Sequence, residues 1–172
     1  PKRPYVVILG GAKVSDKIKV INSFLEKADT ILIGGAMAYT FKRAIGNNIG
    51  DSPWEADKIE IAKITMEKAN KEGVRLLLPV DYIVTDTLNF EEKKAGKIET
   101  VLKDIPEGWE GVDIGPQSVK LFSGEIAGAR TILWNGPMGV FEIDACNKGT
   151  FAIAKAISLN KNATSIIGGG DS

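Results

Sequence analysis

Two lysines four residues apart follow a glycine pair in Gly10-Gly11-Ala12-Lys13-Val14-Ser15-Asp16-Lys17, the segment of this sequence best equipped for chemistry. Glycine lets backbone approach a ligand, the helix expected next offers the positive end of its dipole, and Lys13 and Lys17 can share one helical face as two mobile positive charges. That combination suits a phosphate group. It equally describes two solvated lysines on a surface helix, and the segment fits neither GxxxxGK[ST] nor GxGxxG. Near the other end, Gly168-Gly169-Gly170-Asp171-Ser172 sets a carboxylate after a glycine-rich turn. Asp171 there suits Mg2+, which takes one or two carboxylates together with phosphate oxygens; its rival role is helix N-cap. Between them, the run from Trp134 to Glu142 offers the amide of Asn135, a tight turn at Gly136-Pro137 and the acid of Glu142, for phosphate, sugar ring and sugar hydroxyls respectively. Trp134 and Phe141 read as core residues.

Composition removes many other chemistries. The 172 residues include no histidine and a single cysteine, Cys146. Ser-His-Asp and Cys-His catalysis, HExxH zinc sites and internal disulfides are therefore excluded, and Cys146 reads as a small packed hydrophobe. Lysine plus arginine number 22 against 22 acidic residues, which argues against nucleic acid or an anionic membrane as partner. No apolar run is long enough to span a bilayer and Pro1-Lys2-Arg3-Pro4 has no signal-peptide core, so a reducing, cytoplasmic setting is expected.

The elements that must position these residues alternate. Short apolar runs at Tyr5–Leu9, Thr30–Ile33, 75–78, 111–114, 131–134 and 164–167 read as parallel strands covered on both faces. Helical spacing appears from about Asp16 to Ala28 and from about Asn147 to Leu159, and a further helix opens at Pro116. Ser52-Pro53-Trp54-Glu55 has the form of a capping box opening a helix that Gly73 ends. The expected fold is α/β: a three-layer αβα, Rossmann-like domain with right-handed crossovers and a mainly parallel sheet of about six strands. Many of the 19 glycines follow strands, at Gly10-Gly11, Gly34-Gly35, Gly115, Gly136 and Gly168-Gly169-Gly170. Each alone is ordinary turn chemistry, but the carboxyl ends of parallel strands share one edge, where ligands bind. Asp81 and Ser118 read as structural.

GGAKVSDKI (10–18), LIGGAMAYTF (32–41), LPVDY (78–82), DIGPQS (113–118), WNGPMGVFE (134–142) and GGGDS (168–172) resemble the ordered motif series of the phosphoglycerate kinase family, across essentially the whole chain. The resemblance is to that family's nucleotide-binding domain and implies ADP or ATP as nucleotide and Mg2+ as metal. It implies catalytic positions at Lys13 and Gly170, phosphate contacts from Gly11, Ala12, Lys13, Lys17, Asn135, Gly169, Gly170 and Ser172, and Mg2+ on Asp171. The adenine slot is implied at Gly34, Gly35, Gly111 and Val112, with Pro137 beside the nucleoside and Glu142 on the ribose. The implied reaction is in-line phosphoryl transfer between 1,3-bisphosphoglycerate and ADP, giving 3-phosphoglycerate and ATP, in an intact enzyme expected to be monomeric. Transfer of that kind needs positioning and charge stabilisation rather than a covalent nucleophile, which agrees with the missing histidine.

The resemblance also implies that residues 1–172 form one nucleotide-binding domain, cut short after Ser172 and without the family's phosphoglycerate-binding domain. No turnover is expected of this piece alone. A free α-carboxylate at Ser172 is expected to weaken nucleotide binding, and an uncovered apolar sheet face to favour self-association. Two other readings remain: a Rossmann-type dinucleotide-binding module, and a non-catalytic half that complements a partner.

Overall fold

The computed structural model describes residues 1–168; Gly169, Gly170, Asp171 and Ser172 lie outside the described residues. Strand β1 (Tyr5–Leu9) is buried at every position because it lies between two cores. Tyr5, Val7 and Leu9 enter one and Val6 and Ile8 the other, as period-two alternation requires. The first core is closed by α1 (Val14–Phe24), α2 (Met37–Ala44) and α3 (Ile59–Lys71), the second by α4 (Pro116–Ala127) and α5 (Lys148–Leu159). Between them β2 (Thr30–Ile33), β3 (Arg75–Leu77), β9 (Thr131–Asn135) and β10 (Thr164–Gly168) join β1 in a parallel sheet of order β10-β9-β1-β2-β3. The three-layer αβα expectation is met.

Among the described residues the parallel sheet has five strands rather than six. The run at 111–114 instead belongs to β8 (Glu110–Ile114), which pairs antiparallel with β4 (Asp81–Thr85), itself flanked by β7 (Ile98–Leu102), in a separate three-stranded sheet. Parallel pairing of β8 beside β3 would need a helical crossover between them. Residues 78–109 supply strands instead, including the small hairpin β5 (Leu88–Asn89) and β6 (Lys94–Ala95).

Two local expectations also change. Helix α3 starts at Ile59 after a 3-10 turn, because Ser52 and Glu55 are used elsewhere; its end before Gly73, whose φ is +74°, is as expected. Helix α1 runs from Val14 rather than Asp16 and stops at Phe24. Helix α2, for which the sequence offered no expectation, is buried from Met37 through Lys42. Asp81 is structural, as read: its buried carboxylate accepts the Gln117 and Ser118 amides at 2.9 and 2.7 Å and so caps α4 from a distance. On the sheet edge, Ile166 and Ile167 of β10 stay more than half exposed. Among the described residues no helix is long and apolar enough to cross a membrane.

Candidate functional site

Strand order reverses beside β1, whose neighbours β2 and β9 lie on opposite sides. The crevice outside the carboxyl ends of such a pair is where open α/β sheets take ligands. Here it is walled by three turns pressed together through backbone. The Gly10 amide donates to the Asn135 carbonyl at 2.9 Å, Gly11 to Pro137 at 3.2 Å and Gly35 to Met138 at 3.0 Å. A Cβ at Gly10 would overlap the Pro137 carbonyl, one at Gly35 the Gly11 backbone, and one at Gly136 the Gly10 carbonyl. These glycines serve turn-to-turn contact, and the amides of Gly10 and Gly11 are engaged in the turn.

Lys17, on the first turns of α1, hydrogen-bonds Asn135 Oδ1 at the end of β9 and so bridges the crevice. Lys13 is the exposed, extended residue before α1 (φ −127°, ψ 132°), so the two lysines do not share a helical face as expected. The amino end of α1 already holds a carboxylate. Glu55 accepts the Ser15 amide at 3.2 Å and the Ser15 hydroxyl at 2.7 Å, the role that displaces it from the expected capping box.

Beside this edge lies a cavity of about 520 Å³ between the parallel sheet and the second sheet. Seven of the residues named from sequence line it: Gly11, Ala12, Gly35, Gly111, Val112, Pro137 and Glu142. Gly34 does not; a Cβ there would strike the Met138 thioether, so its role is close packing. Lys13, Lys17 and Asn135 stand outside the cavity wall, while Gly169, Gly170, Asp171 and Ser172 are not among the described residues. Sequence reasoning missed Tyr39, Asp51, Pro53, Leu88, Phe90, Glu110 and Val140, and placed Phe141 in the core although it lines the cavity. Trp134 is core, at 2% exposure, and its indole N–H donates to the Gly136 carbonyl at 2.7 Å.

Val112 owes its place in the wall to a bulge. Ile83 pairs with Asp113 and Val84 with Gly111, leaving Val112 as the extra residue, and its carbonyl accepts the Val140 amide at 2.8 Å. The Ser52 hydroxyl accepts the Gly111 amide at 2.9 Å, which brings the neighbouring Asp51 to the same wall. Among the described residues no cluster of three acidic, histidine or cysteine groups forms a metal cage. Mg2+ needs no such cage when phosphate oxygens complete its shell.

Asp113 lies behind the wall, 1% exposed, accepting the Gly149 amide at 2.7 Å and its neighbour Ile114 at 2.8 Å. Burial pushes its carboxyl up to about 7 despite those bonds. An acid raised from 3.8 to about 7 favours folding fully below pH 4, and that advantage is lost as pH climbs through 7. Urea titrations of the wild type and Asp113→Asn from pH 4 to 8 should show the wild type losing up to ~4 kcal/mol relative to the variant, levelling above pH 7. A difference that stays flat or rises across that window contradicts the account.

Known proteins share this architecture. The family model for phosphoglycerate kinase matches residues 1–172. Proteins named phosphoglycerate kinase from Acidobacterium capsulatum and Clostridium tetani are 54% and 55% identical over 172 residues, all of this chain and 42% of theirs. The solved phosphoglycerate kinase of Coxiella burnetii superposes with TM-score 0.93 at 40% identity, covering 99% of this chain and 43% of that one. The Pyrococcus horikoshii enzyme gives 0.83 at 28% identity, covering 99% of this chain. The chain thus spans about two-fifths of the length of these relatives. A match running from the first residue to the last, in motif order and in fold, shows that the chain belongs to the phosphoglycerate kinase family.

Proposed function

We propose that the chain binds an adenine nucleotide with Mg2+ and supplies the nucleotide side of phosphoryl transfer between 1,3-bisphosphoglycerate and ADP. The observation carrying this reading is the pairing of an apolar cavity at the strand ends with the Lys17–Asn135 bridge beside it. The base and ribose take the cavity, between Gly111-Val112 and Pro137, with Glu142 toward the ribose hydroxyls. The phosphates run out across the turn after β1 toward Lys17, Asn135 and the exposed Lys13. Mg2+, held by Asp171 and the phosphates, supplies charge neutralisation when bound. The protein's part is orientation: Asn135 fixes the Lys17 ammonium, and the exposed Lys13 is placed to meet the transferred group.

By the family resemblance the second substrate binds outside residues 1–172, so on this reading these residues by themselves bind nucleotide without turning it over. Calorimetry on this polypeptide should show Mg-ADP binding in preference to NADH, and a coupled kinase assay no turnover. NADH bound more tightly than Mg-ADP would favour the dinucleotide-module reading, and turnover by the polypeptide alone would overturn the division of labour.

A further inference from the structure

Position 13, at the start of α1, holds a residue that cannot cap a helix. Lys13 stands at the N-cap: its backbone is extended (φ −127°, ψ 132°) and its carbonyl accepts the Asp16 amide at 3.3 Å. The first amides of a helix have no partner within it, and an N-cap side chain ordinarily supplies them with an acceptor oxygen. Lysine has only donors, and its positive charge opposes the helix dipole at that end. Accordingly the Lys13 side chain makes no capping hydrogen bond.

The acceptor comes instead from 40 residues away. Glu55 takes the Ser15 amide on one carboxylate oxygen and the Ser15 hydroxyl on the other, at 3.2 and 2.7 Å. Ser15 is the second residue of α1, and its amide is one that an N-cap side chain would satisfy. Glu55 is itself held, because its amide donates to the hydroxyl of the buried Thr40 on α2 at 3.0 Å. In the same segment the Ser52 hydroxyl accepts the Gly111 amide at 2.9 Å. The carboxylate therefore reaches α1 from an anchored segment, and its negative charge suits the amino end of a helix. A local rule broken at one residue and compensated from a distance is the pattern of a residue kept for function. A better cap at position 13 would remove an ammonium from the edge of the crevice, where Lys17 already meets Asn135.

We propose that Glu55 is a positioning residue for the phosphate-binding lysines: by capping α1 from outside, it allows a lysine at position 13 and fixes the turn that carries Lys13 and Lys17 at the strand ends. The inference rests on the nucleotide-binding reading above and deepens it. Its test pairs amide hydrogen exchange in the ligand-free polypeptide, which reports the cap, with affinity for Mg-ADP, tripolyphosphate and adenosine, which reports the phosphate site. In Glu55→Ala the Ser15 and Asp16 amides should exchange about fivefold faster, the worth of one lost cap, and Mg-ADP and tripolyphosphate should each bind about fivefold more weakly. Adenosine should bind as before. Glu55→Gln, which keeps an acceptor oxygen, should bring both readouts back to within about twofold of the wild type. Lys13→Asn added to Glu55→Ala should restore slow exchange, because asparagine caps in place, without restoring phosphate affinity. Unchanged exchange or unchanged tripolyphosphate affinity in Glu55→Ala overturns the inference, and so does a Glu55→Gln protein that behaves like Glu55→Ala. An equal loss for adenosine overturns it too, by making Glu55 a part of the general scaffold. Failure of the wild type to bind any nucleotide overturns the functional reading, and the positioning role with it.

Discussion

Replacing Gly10 with alanine should lower stability by about 3 kcal/mol and abolish measurable nucleotide binding, although the change adds a single methyl group. The added Cβ meets the carbonyls of Pro137 and Gly136, and those are backbone atoms that no side-chain rotation can move aside. Relief requires separating the turn after β1 from the turn after β9, which also breaks the Gly10–Asn135 and Gly11–Pro137 hydrogen bonds. The cavity wall is lost with them. Gly124 provides the contrast: it is exposed in α4 and a Cβ added there meets nothing within 4 Å, so Gly124→Ala should stabilise by about 0.5–1 kcal/mol through helix propensity. Urea denaturation of the two variants should therefore shift in opposite directions. A Gly10→Ala protein as stable as the wild type would show that the turns are not packed as described.

Removing the Lys17 side chain should act on binding alone. Its ammonium is held by Asn135 at the strand ends, and a charge-assisted contact to phosphate is worth about 1.5–3 kcal/mol, so Lys17→Ala should weaken Mg-ADP roughly 10–100-fold. Adenosine, which has no phosphate, should bind both proteins equally. Stability should change little because Lys17 is only half-buried and forms no ion pair among the described residues. Calorimetry with ADP and adenosine separates the two contributions; an equal loss for both ligands would place Lys17 in the base site or in the scaffold.

The parallel half of the fold was legible because buried parallel strands announce themselves as short apolar runs and their crossover helices as 3.6-residue stripes. The second sheet was not. Strand β7 is mostly exposed, β4 offers only the three-residue apolar run Tyr82-Ile83-Val84, and β8 looks like any other buried strand. Helix α2 was missed for another reason: it has only eight residues and no side chain caps its start, so no boundary signal marks it.

The candidate cavity was legible in its glycines but not in its far wall. Gly11, Gly35 and Pro137 sit beside strand ends, where position in the chain implies position on the ligand edge. Tyr39, Asp51, Leu88 and Glu110 reach the cavity only through the packing of segments distant in sequence, such as the Ser52–Gly111 hydrogen bond. Close approach is also what Gly10 and Gly34 provide, Gly10 to the Pro137 carbonyl and Gly34 to the Met138 side chain.

The most direct test of the central claim is residue-resolved NMR during titration with Mg-ADP. The largest amide shifts should fall together on Gly11, Ala12, Gly35, Gly111, Val112 and Gly139 to Glu142, with Lys17 and Asn135 following in a titration with tripolyphosphate alone. Shifts confined to the outer faces of α4 and α5, or spread evenly over the chain, would contradict it.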